Sequence, residues 1–135
     1  MSITTSIAQW IIRLTGATQV VLGVLFWNRR VLALIPLHML VGMMFVLALL
    51  LTAGLAARAG LAPARVALVM AYAVMIPAFG YFHPRLLIGP FHWIVQVLHL
   101  AIGVAAMVIA ARLATYIRRR HRETLAADAA VRDAA

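Results

Sequence analysis

Pro90-Phe91-His92-Trp93-Ile94-Val95-Gln96-Val97-Leu98-His99-Leu100-Ala101-Ile102-Gly103 opens the last long apolar run of the chain. His92 and His99 are seven residues apart, about two helical turns, and Gly103 follows His99 by one more, so all three share a helix face. The spacing His-x-x-x-Gly occurs once more, at Leu37-His38-Met39-Leu40-Val41-Gly42, again near the start of a long apolar segment and again with leucine before the histidine. The chain therefore places a histidine and a glycine one turn apart twice, inside segments that have few other polar residues.

Working outward from these runs, the composition sets the class. Of 135 residues, 66% are hydrophobic and 11% charged, against roughly a quarter charged in soluble domains. Apolar runs of spanning length, about 20 residues, fit four times, at about residues 3–27, 32–57, 64–82 and 91–116. The expected fold is an all-α integral membrane bundle of four up-down helices, with a membrane domain over residues 1–122 and a short tail over 123–135. The N-terminal run lacks the basic start and small-residue cleavage site of a signal peptide and is read as a retained span.

The net charge of +9 comes from arginine alone, and the three acids, Glu123, Asp128 and Asp133, all lie near the C-terminal end. No carboxylate falls in a span, which argues against a carboxylate-driven pump or a hydrolase. No basic groove interleaved with aromatics points to nucleic acid. The absence of cysteine excludes disulfides, thiolate nucleophiles and iron–sulfur ligation. With four spans both termini share a side. That side carries Arg58, Arg65 and the cluster from Arg112 to Arg122, against Arg29, Arg30 and Arg85 on the other, so both termini are expected in the cytoplasm. The expected location is a bacterial inner membrane. Spans one and two would form one hairpin and spans three and four a second, parallel pseudo-repeat, with His38 and His99 facing each other near the outer side.

Two imidazoles opposed across a helical bundle are the geometry of bis-histidine haem ligation, and a glycine one turn along gives a flat macrocycle room. The two His-x-x-x-Gly helices resemble the haem-ligating helices of small membrane cytochromes b, including the anchor subunits of succinate dehydrogenase. The four-span layout is similar to the cytochrome b561-like proteins. That resemblance implies haem b held by His38 and His99 as axial ligands to the iron, with Gly42 and Gly103 as clearance residues. After the glycine the anchor pattern continues with arginine and histidine, where this chain has Met44-Phe45 and Ala105-Ala106. The haem propionates would meet Arg29, Arg30, Arg85, His83 or His92, and Gln96 could hydrogen-bond a propionate, a water or the ligand ring.

The expected function is one-electron transfer, with a redox partner or a quinone as the exchanging species and membership of a larger complex or a homo-oligomer open. No hydrolytic or transferase site is legible, so any enzymatic activity would be redox chemistry at the haem. The alternative is a cofactor-free structural, assembly or accessory subunit in which the histidines pin the two hairpins together. A channel would need polar residues through both leaflets; Gln9, Arg13, Thr15 and Gln19 on the first span are the only candidates.

Overall fold

The computed structural model of the protein describes residues 3–27 and 31–133. Those residues form four helices: α1 over Ile3–Trp27, α2 over Ile35–Arg58, α3 over Pro63–Phe82 and α4 over His92–Asp133. Short 3₁₀ turns at Leu32–Leu34 and His83–Arg85 precede α2 and follow α3. All four helices are long and apolar enough to cross a membrane.

Local sequence accounts for the boundaries. Pro36 and Pro63 lie in the first turns of α2 and α3, where a missing N–H leaves no bond unmade. The end of α2 is a Schellman motif. Gly60 takes φ +88°, its N–H bonds Ala57 O, and the Leu61 N–H bonds Ala56 O. Arg120 of α4 donates to the Ala59 carbonyl at 3.2 Å beside it, a cation at the negative end of α2. Gly89, at φ +103°, turns the chain from the 3₁₀ segment into α4. Pro77 lies inside α3. Beyond the expected end of the fourth span, α4 runs on without a break to Asp133, because Ala-rich sequence holds a helix even without an apolar stripe.

The core is built from small residues. α2 packs against each of the other three helices and α1 against α4, while α3 and α4 touch less and α1 and α3 least of all. Ala48, Ala53 and Ala56 of α2 meet Ala106 and Ala110 of α4 in one cluster with Ile12, Phe45, Leu49 and Leu113. Alanine seams of this kind let backbones approach closely, which is how helices associate where lipid removes the hydrophobic driving force. The large apolar side chains point the other way: Trp10, Leu14, Met39, Leu40, Leu47, Leu68 and Val74 are exposed around the bundle, an apolar surface far larger than a water-soluble monomer tolerates.

The two glutamines of α1, Gln9 and Gln19, serve as inter-helix ties. Gln9 Nε2 donates to Ala110 O of α4 at 3.4 Å and its Oε1 accepts from Arg118 at 3.3 Å. Thr15 bonds back to Ile11 O of its own helix, and Arg13 lies over the ring of Trp10 at 5.6 Å. Between Gln9 and Gln19 the interior is filled by Ile12, Phe45 and Leu49, so these side chains do not line a continuous polar path.

Candidate functional site

At the end of the bundle where α2 and α4 begin, four histidines form a chain of ring contacts. His38, on the first turns of α2, and His99, two turns into α4, face each other with ring centres 6.2 Å apart and planes tilted by 45°. His83, in the 3₁₀ turn after α3, lies 5.3 Å from His99 and 5.1 Å from His92. His92 Nδ1 is 3.1 Å from Leu86 O. Phe26 meets the edge of His38 at 5.3 Å, and Phe79 stacks on His99 at 5.8 Å with planes 13° apart. The Nδ1 atoms of both His38 and His99 are buried without a hydrogen-bond partner. An unpaired buried polar atom costs about 1–3 kcal/mol, so these two need an explanation.

The surroundings of the two glycines differ. A Cβ on Gly42 would run into Gln19 Nε2 of α1, because Gln19 reaches across the bare backbone there and donates to the His38 carbonyl at 2.9 Å. Gly103 has open space where a Cβ would stand, although it lies in the row His99, Ala106, Ala110 that turns toward the core. Tyr72 of α3 donates to Ile102 O at 2.7 Å, bringing α3 close beside that opening. Gly80 of α3 provides a further bare surface, with His99 Cε1 3.4 Å from the position its Cβ would take.

These observations bear on a haem between the two rings. An imidazole nitrogen sits about 2.0–2.1 Å from a bound metal and about 1.1 Å from its ring centre, so two imidazoles on opposite sides of one ion stand about 6.3 Å apart. The observed 6.2 Å agrees. The open space at Gly103 suits a flat ring system, the bare surface of Gly80 seats the His99 ring itself, and Gln19 occupies the flank at Gly42 and would have to swing aside. Its amide is the end of a flexible side chain, and its Oε1 is itself buried and unpaired. Among the described residues no group of three or more histidines or carboxylates is arranged to hold a metal ion, so ligation would rest on the facing pair.

The other residues expected near a cofactor fall at various distances from this pair. His92 joins the cluster through His83. Gln96 is half-buried on α4 between His92 and His99. Arg85 lies over the ring of Tyr81 at 5.1 Å and is exposed. Arg29 and Arg30 lie outside the described residues. Two features were not read from the sequence: the part of His83 in bridging His92 to His99, and the seating of Gln19 on Gly42. A signal for the second existed, since an amide midway along an apolar helix needs a partner on a neighbouring one.

No protein-family profile, curated protein or solved structure matches the chain.

Proposed function

We propose that the protein is an integral membrane b-type cytochrome that carries single electrons, with haem held between His38 and His99. The observation that carries this reading is the half-buried imidazole pair, its ring centres set at the spacing of two axial ligands. His38 and His99 come from two helices that share the alanine seam, which lies deeper in the bundle than the pair itself. Phe26 and Phe79 screen the rings from water, and such burial and ligation are the means by which a protein sets a haem potential. His83, His92 and Arg85 stand nearer the mouth, available to carboxylates. A bis-histidine haem supplies a one-electron couple with no open coordination position, so the chemistry assigned is transfer and not bond making. The excess of arginine at the end bearing both termini supports a cytoplasmic location for that end.

The seating of Gln19 on Gly42 favours a second reading, in which no cofactor binds and the histidines pin α2 to α4 by ring contact. One experiment separates the two. Protein purified in mild detergent is examined by absorption before and after dithionite reduction, beside His38→Ala and His99→Ala. Sharp reduced bands of low-spin haem, lost or turned high-spin in each variant, are expected. A wild type that stays colourless after haem is supplied during expression overturns the cytochrome reading and leaves the pin.

A further inference from the structure

The opposite end of the bundle carries the densest charge in the chain, where α4 leaves the core. Ala114 is the last buried residue of that helix, and Arg118, Arg119, Arg120 and Arg122 follow within two turns. Their side chains are not equivalent. Arg119 and Arg120 both bond Glu123, at 2.8 and 3.2 Å, and Arg120 also closes the end of α2. Arg118 is aimed by Thr115 Oγ1 at 2.9 Å and by Gln9 Oε1 at 3.3 Å. Arg122 makes no hydrogen bond among the described residues. Arg118, Arg119 and Arg122 surround an open cleft of about 240 Å³ together with Thr115 and Glu123. Three guanidiniums and a hydroxyl thus face one carboxylate that two of the cluster's arginines already engage.

We infer that this cleft binds the phosphodiester headgroup of an anionic phospholipid. The charge balance calls for an anion with several acceptor oxygens, which planar guanidiniums match better than any neutral headgroup. What lies along the helix selects a lipid over a soluble anion. Toward the bundle, the face bearing Thr115 continues through Val108 and Val104, both exposed, at helical spacing. A headgroup in the cleft therefore has an apolar strip beneath it for its acyl chain. Trp10, exposed on α1 with Arg13 over its ring, lies one residue from the Gln9 that holds Arg118, as expected of an interfacial aromatic. Arg118 links the cleft to α1, so occupancy also ties α1 to α4.

The test uses the full chain, delipidated in a non-ionic detergent. Phosphatidylglycerol and phosphatidylcholine of identical acyl composition are added in turn, bound lipid is counted by native mass spectrometry, and the thermal unfolding midpoint is followed. Retention of phosphatidylglycerol about five-fold above phosphatidylcholine is expected, with a rise in midpoint of roughly 3–5 °C. Arg122→Gln, which breaks no contact of the fold, should lose most of that preference, and Arg118→Gln combined with Arg122→Gln all of it. Arg132→Gln, further along the same helix, should keep it. Equal retention of the two lipids, or full preference in Arg122→Gln, overturns the site. Inorganic phosphate that displaces phosphatidylglycerol at equal concentration overturns the lipid assignment in favour of a soluble anion.

Discussion

The two His-x-x-x-Gly segments have the same spacing and bring their histidines to the same level, yet their glycines serve different neighbours. On α2 the bare backbone at Gly42 admits Gln19, which crosses from α1 to the carbonyl of His38. On α4 the bare backbone at Gly103 admits nothing from the described residues. A small residue in a packed helix is explained either by what it lets approach or by what it leaves open. Gly42 belongs to the first kind, and Gly103 to the second. The difference gives one repeated motif two surroundings, closed by Gln19 of α1 at Gly42 and open at Gly103.

The sharpest way to break this comparison is to fill the open flank. Gly103→Leu meets no protein atom within 4 Å in its first carbon, so the helical fold should survive, as read by circular dichroism and gel filtration. Haem content, measured by the reduced absorption bands, should fall to background. A variant that retains full haem would show that the opening at Gly103 is not where the macrocycle lies.

The closed flank should respond with a change of stability and not of occupancy. Gln19→Ala removes one inter-helix hydrogen bond and should destabilise the haem-free protein by about 1 kcal/mol, measured by reversible unfolding in mixed micelles, with no loss of haem content after reconstitution. Gly42→Ala should displace the same amide, but the better helix propensity of alanine, about 1 kcal/mol over glycine, offsets the loss and leaves a smaller net effect. If Gln19→Ala empties the site of haem, the two flanks are not separable.

Tyr72→Phe tests the wall of the open side. It deletes the bond to Ile102 O, at a cost of about 0.5–1 kcal/mol, and the haem bands should broaden or shift slightly with the fold intact. The smallest effect is expected far from both glycines. Hydrogen bonds from Arg119, then Arg120, hold the Glu123 carboxyl below its ordinary value. A carboxyl depressed in the folded state stabilises above its unfolded pKa and loses that contribution as pH falls through the folded one. Acidification below the ordinary glutamate range should therefore fray the tail slightly, seen as a small loss of ellipticity at 222 nm that Glu123→Gln abolishes.

The helical class and all four elements were legible, because apolar runs of spanning length broken by Asn28-Arg29-Arg30, Gly60 and Gly89-Pro90 leave few other arrangements. The contact of His38 with His99 was legible too, from two His-x-x-x-Gly segments placed alike near the starts of their helices. The role of His83 was not. It sits beside Pro84 in a segment that reads as loop, and only the 3₁₀ turn after α3 brings its ring between His92 and His99. Nor was the asymmetry of Gly42 and Gly103 readable, since the residues between histidine and glycine are apolar in both motifs; the difference comes from Gln19, on another helix. The extension of α4 to Asp133 was underestimated because an alanine-rich segment without an apolar stripe looks untethered, whereas a helix already nucleated in the core propagates through it at little cost.

That continuity has a mechanical consequence. Forty-two residues without a break make a rod about 63 Å long, of which an apolar layer of about 30 Å accounts for half. The remainder is a stiff post with no joint at its base. Whatever docks on its far end is held at a set stand-off, and a turn of the post about its own axis is a turn of His99.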